Sequence, residues 1–210
     1  MGKTHEYYRN WWNRKSYEDY NRGAYYEAVG SSNEEDYVSM GKSQLSECIA
    51  SGLKEFDRVL DFGCGNGRLA IHLKNFLKGE YWGIDICGRL IEDAKRRIAD
   101  PSFHFAVNES PRLWFSDEYF DFICAFSVIT HLDIEYTIEL FQEWKRLLKS
   151  SGNLLVTFIR NDEFPMFFGD TARMEHNASF LIGLSYGVGF RYLKIQDRNI
   201  GQWILLLSKK

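Results

Sequence analysis

Apolar positions along this chain alternate between short solid runs and stretches with helical spacing. Residues 58–62, 80–85, 103–107, 120–126, 153–159, 190–195 and 203–207 hold compact apolar runs and read as strands. Between them, residues 68–77 place Leu69, Leu73, Phe76 and Leu77 on one helical face. Residues 89–99 do the same with Ile91, Ala94 and Ile98, and 133–149 with Ile134, Ile138, Phe141, Leu147 and Leu148. Residues 34–51 and 178–186 are also read as helical, and a polar loop is expected after 160. Asp133 is a natural amino-terminal cap, whereas Gly79, Pro101 and Gly152 are stop signals. Strands that alternate with helices from Asp57 onward predict a parallel α/β sheet. The run 120–126 is nearly all apolar, as a strand covered on both faces should be.

The first 26 residues break this pattern. Eight aromatics (Tyr7, Tyr8, Trp11, Trp12, Tyr17, Tyr20, Tyr25 and Tyr26) stand among Lys and Arg with almost no aliphatics. Such a segment cannot form a core of its own and must lie on one. The reading is therefore one domain over 1–210, with 1–52 as an aromatic-rich helical arm and 53–210 as the core.

Composition narrows the classes. A chain of 210 residues buries about 70 % of its extended surface on folding, and 45 % hydrophobic with 26 % charged residues excludes a disordered chain or a disulfide miniature. No run approaches the ~18 apolar residues of a membrane helix, and the amino-terminal residues carry no secretion-type apolar region, so a cytoplasmic protein without membrane contact is expected. Cys48, Cys64, Cys87 and Cys124 form no Cys-x-x-Cys pair and the five histidines no ligand spacing, so no metal is expected. A net charge of −3 argues against nucleic acid as a partner.

The chemistry concentrates in the run Asp61, Phe62, Gly63, Cys64, Gly65, Asn66, Gly67, Arg68, where a strand enters three alternating glycines and then a helix. Glycines permit a tight turn and close approach of a ligand, and free N–H groups at the helix start would favour an anionic group. A dinucleotide fingerprint starting at Gly63 needs glycine where Arg68 stands; starting at Gly65 it meets Ala70. Asp61 discriminates further, because a carboxylate there repels a pyrophosphate and attracts an ammonium or sulfonium group. S-adenosylmethionine has those charges, together with a ribose that Asp85, at the end of the second strand, would bind through both hydroxyls.

On these residues the sequence resembles the class I S-adenosylmethionine-dependent methyltransferases, over residues 55 to about 160. The resemblance implies a Rossmann-like, doubly wound, mostly parallel seven-stranded sheet with S-adenosylmethionine as methyl donor. It implies that Ile86 packs on adenine and that Glu109, with Ser110 beside it, stands where an Asp commonly meets the adenine amino group, one methylene longer here. Asp61, Gly63, Cys64, Gly65, Asp85 and Phe126 complete the expected donor site, with 125–132 as the fourth-strand loop. His131 in that loop is the candidate base or acceptor contact, and Tyr17 and Tyr20 are candidate lid residues facing the sulfonium. Arg160, Asn161, Asp162, Glu163 and His176 are further candidates for an acceptor pocket. The expected reaction is in-line transfer of the methyl group to a small-molecule acceptor, with oligomeric state open. A non-catalytic S-adenosylmethionine-binding domain is the alternative, and a nicotinamide-dependent oxidoreductase the third reading.

Overall fold

A computed structural model describes residues 4–23, 25–163, 166–168 and 173–209. Within the polar stretch expected after 160, residues 164–165 and 169–172 therefore lie outside the described part. The chain divides into two compact units, one formed by residues 5–109 and the other by 110–210 with 1–4.

The first unit begins with the helices α1 (His5–Asn21) and α2 (Glu34–Ala50), with a 3-10 turn at Glu27–Val29 between them. Asn33 caps α2 by accepting the Asp36 amide. Then come β1 (Val59–Phe62), α3 (Arg68–Leu73), β2 (Tyr81–Asp85), α4 (Gly88–Ile98) and β3 (Phe103–Val107). β1 pairs parallel with β2 and β2 parallel with β3, in a register that sets Asp61 beside Gly83 and Asp85 beside Val107. Three carboxyl ends consequently open at one edge of the unit, where sheets of this kind bind ligands. α3 is shorter than the expected 68–77. Beyond Leu73 the chain turns so that the Lys78 and Gly79 amides reach the Glu55 carbonyl, and a Cβ at Gly79 would lie 2.1 Å from the Asp57 carbonyl oxygen.

The second unit holds β4 (Phe120–Ala125), α5 (Ile134–Leu147), β5 (Leu148–Arg160), β6 (Met166–Phe168), β7 (Arg173–His176), α6 (Ala178–Val188), β8 (Phe190–Asp197) and β9 (Trp203–Lys209). β4 runs parallel to β5, β9 antiparallel to β5, and β8 antiparallel to β9. Asp133 caps α5 by accepting the Tyr136 amide, as expected. Its core is aromatic and aliphatic, with Phe120, Phe122, Phe141, Trp144, Phe158 and Phe190 fully buried.

All seven strands expected from the sequence are present, and β6 and β7 are additional. They form an antiparallel pair where a loop was expected, and β7 joins β5 through Ile159 beside Glu175 and Arg160 beside His176. The buried Met174 and His176 alternate with more exposed neighbours, which is the period of a strand.

Candidate active site

The glycine turn sits directly after β1. Gly63, Gly65 and Gly67 all adopt left-handed backbone, with φ of +77°, +56° and +87°, which side-chain-bearing residues rarely tolerate. The turn folds back on β2: the Gly63 and Cys64 amides both donate to the Ile84 carbonyl, and the Gly67 amide donates to Cys64. Gly63, Cys64 and Gly67 thus spend their amides on the backbone, and the Gly65 amide donates to Asp85.

Asp85 is the junction of the site. Its Oδ2 accepts the Gly65 amide at 2.9 Å and its Oδ1 the Cys87 amide at 2.8 Å, so one carboxylate ties the glycine turn to the start of α4. A carboxylate offers about four lone-pair sites, so acceptor capacity remains for a hydroxyl donor beyond these backbone amides. Burial pushes the carboxyl up to about 6, against the pull of backbone donors at Cys87, Gly65 and Ile86. Ile86 is half-buried beside it.

Asp61 stands differently from the sequence reading. It is 3 % exposed and its Oδ2 accepts the Tyr81 hydroxyl at 2.8 Å. The reason is Gly83, its cross-strand neighbour: a Cβ there would fall 2.9 Å from the Tyr81 hydroxyl oxygen, so only glycine leaves room for this bond. The Cys64 thiol is buried, and burial together with Asp61 and Asp85 drives its pKa well up, so it stays protonated.

At the end of β3, Asn108 is buried, its amide donates to the Asp85 carbonyl at 2.7 Å, and its own carbonyl accepts from His5 Nε2 at 3.1 Å. Glu109 follows it, exposed to solvent. Ser110, the first residue of the second unit after that point, is exposed and accepts the Arg112 amide. Neither His5 nor Asn108 was legible as a site residue, since the link between them spans 103 positions.

Tyr17 and Tyr20 both lie on α1 but differ. Tyr17 is 66 % exposed, whereas Tyr20 is buried and donates to Asp93 Oδ2 at 2.7 Å. Burial and the Asp93 carboxylate raise the Tyr20 pKa, so this hydroxyl is a hydrogen-bond donor and not a phenolate. Ser16 meets Cys87 Sγ at 2.8 Å, and Tyr20 packs with Ala28, Cys87 and Leu90.

In the second unit, Phe126 is buried at the end of β4, with the Arg198 guanidinium 5.3 Å from its ring centroid. Ser127 follows in left-handed backbone with φ +58°, a strained conformation for serine. Its amide donates to Thr157 Oγ1 and its carbonyl accepts from Thr130 Oγ1, both at 2.7 Å, which fixes the turn leading to His131. His131 is half-buried at the end of a 3-10 turn, Ile129–His131. His176 is fully buried and donates from Nε2 to the Ile129 carbonyl at 2.9 Å, so it braces that turn from below. Arg160 pairs with Asp162 and lies over the Trp203 ring, Asn161 donates to Glu175, and the Glu163 amide donates to Asn161.

Residues 59–152 match the family model described as methyltransferase domain. The chain is 32 % identical over 126 residues to phosphoethanolamine N-methyltransferase of Plasmodium falciparum, covering 59 % of this chain and 47 % of that protein. It is 29 % identical over 120 residues to ribosomal protein L11 methyltransferase of Dictyoglomus thermophilum, covering 57 % and 38 %. The chain thus spans half or less of the length of these curated relatives. Its fold matches the crystal structure of a TehB-like S-adenosylmethionine-dependent methyltransferase from Corynebacterium glutamicum with a TM-score of 0.65 at 18 % identity, over 94 % of this chain and 99 % of that one. A doubly wound, mostly parallel α/β sheet, an acid followed by Gly-x-Gly-x-Gly after its first strand, and an acid ending the second agree with these matches: residues 59–152 carry a methyltransferase domain similar to those of the class I S-adenosylmethionine-dependent methyltransferases, whose methyl donor is S-adenosylmethionine.

Proposed function

We propose that this protein transfers the methyl group of S-adenosylmethionine to a small-molecule acceptor. The observation that carries the donor half is Asp85, which ties the glycine turn to the start of α4 and keeps acceptor capacity for a ribose hydroxyl. The donor supplies an electrophilic methyl on a sulfonium. The chain's own work is to hold and orient: Asp85 accepts hydroxyl protons, Ile86 offers an apolar face to the adenine, and Glu109 and Ser110 offer acceptors toward its amino group. Gly63, Cys64 and Gly65 form the turn, Asp61 adds negative potential from within, and Phe126 belongs to the donor site by its motif position. His131 takes the acceptor proton, and Tyr17 and Tyr20 belong to the arm, residues 1–52, that covers the site. Orientation alone supplies on the order of 7 to 11 kcal/mol in such displacements.

A small acceptor is favoured over nucleic acid by the net charge of −3, and over a protein by the stronger of the curated similarities, to an enzyme named for phosphoethanolamine. Four buried, unbridged cysteines suit a reducing compartment, and we place the protein in the cytoplasm.

Methyl-labelled S-adenosylmethionine, incubated with the protein and separately with phosphoethanolamine, a panel of small amines and alcohols, and ribosomal protein, tests the reading. Label in a small-molecule product supports it. Label found only in the protein fraction overturns the acceptor class, and donor binding without transfer to any fraction overturns the enzymatic assignment.

A further inference from the structure

Arg68 sits at the first position of α3, where its positive charge faces the positive end of the helix, and Gly67 before it provides no side-chain cap. It is also only 8 % exposed, and a guanidinium is not buried without strong acceptors. The acceptors are in the segment that precedes α2 and in α2 itself. Arg68 Nη1 donates to the Val29 carbonyl at 2.7 Å and to Ser31 Oγ at 3.1 Å, while its Nε donates to Gln44 Oε1 at 3.2 Å and thereby fixes the plane of the fork. On the other side of Gly67, Asn66 Nδ2 donates to the Tyr25 carbonyl, and Asn66 Oδ1 accepts from the Tyr37 hydroxyl at 3.0 Å.

Both residues flanking Gly67 therefore reach the backbone of residues 25–29. The result is close contact with the glycine turn: a Cβ placed on Gly65 would lie 2.7 Å from Val29 Cγ1. Residues 25–31 are themselves a closed turn, with the Gly30 amide donating to Glu27 and the Ser31 amide to Tyr26, both at 2.9 Å. This closed turn is held at the Tyr25 carbonyl by Asn66 and at the Val29 carbonyl and Ser31 hydroxyl by Arg68.

We propose that Arg68 is a positioning residue of the donor site: its grip on Val29 and Ser31 sets residues 27–31 against Gly65, so S-adenosylmethionine and its product exchange only when that grip loosens. The inference rests on the donor reading above. Arg68 touches no reacting atom and acts through Val29.

The test is the exchange rate of S-adenosylhomocysteine, followed by stopped-flow tryptophan fluorescence and calorimetry, with amide hydrogen exchange read at Gly30 and Ser31. The wild type is measured first, since absence of binding there would defeat the donor reading and not this one. R68M keeps the alkyl stem and removes every donor; it is expected to raise the dissociation rate about 10-fold or more and to deprotect Gly30 and Ser31. R68K, which retains a cation able to reach Val29, is expected to recover part of the slow rate. V29A removes the contact with Gly65 and leaves Arg68 intact, and it should speed dissociation in the same way even if R68M folds poorly. Unchanged dissociation in V29A, or deprotection at Gly30 and Ser31 in R68M with no change in rate, overturns the proposal.

Discussion

Asp85 and Gly65 are joined by a bond of 2.9 Å from the Gly65 amide to Asp85 Oδ2, and this bond joins the glycine turn and the end of β2, the two motifs of the proposed donor site, into one structural element. The glycine turn is thus built by Asp85 as much as by its own glycines. A carboxylate with both oxygens already anchored by backbone donors is preorganised, and it presents its remaining lone pairs without further ordering.

Replacing Asp85 with alanine should weaken S-adenosylhomocysteine binding by about 1 to 3 kcal/mol, the cost of leaving hydroxyls and backbone amides without their partner. Titration calorimetry measures it directly. Affinity equal to wild type would remove Asp85 from the donor site.

The raised Asp85 pKa sets a pH window with opposite signs for binding and for stability. In the proposed donor site the carboxylate, not the acid, accepts the ribose hydroxyl proton, so affinity should rise as pH increases through about 6 and level off above it. Below the transition the fall should approach about 10-fold per pH unit. Stability runs the other way: a folded pKa above the unfolded one means that this group favours the folded state at low pH and loses that contribution between 3.8 and about 6. In D85N the pH dependence of binding over this window should vanish.

Gly65→Ala tests the turn. With φ at +56° and Val29 Cγ1 2.7 Å from the new methyl group, the substitution combines backbone strain with a clash. Each source costs on the order of 1 to 3 kcal/mol, so thermal unfolding should fall by several degrees and donor affinity should fall with it. An unchanged melting temperature would mean that residues 25–31 do not rest on the turn.

His131→Ala should slow methyl transfer about 100-fold if this histidine takes the acceptor proton, with S-adenosylhomocysteine affinity unaltered. Single-turnover rates separate the two quantities. A near-normal rate would reduce His131 to a residue of the turn that His176 braces.

Much of the fold was legible because strand and helix periods are local. The runs at 120–126 and 203–207 could be read without knowing what covers them, and Asp133 announced the start of α5. The hairpin of β6 and β7 was not, because its pairing with β5 rests on Met174 and His176 turning inward from a polar stretch. Within the site, Asp85 was legible because its position at a strand end has chemical meaning. Asp61 was legible as an acid but not as a buried one, since the bond to Tyr81 depends on what stands beside it in register, Gly83, and register is not local. His5, Asn108 and Ser127 were invisible for the same reason: their roles come from partners or backbone angles that no pattern of residue types records.

The central claim is that residues 63–67 and 85–87 together hold S-adenosylmethionine. Backbone amide shifts of labelled protein titrated with S-adenosylhomocysteine, and in parallel with NADH, test it most directly. The account predicts saturable shifts at Gly65, Asp85, Ile86 and Cys87 with the sulfur compound and none with NADH; the reverse pattern, or shifts confined to other parts of the chain, would contradict it.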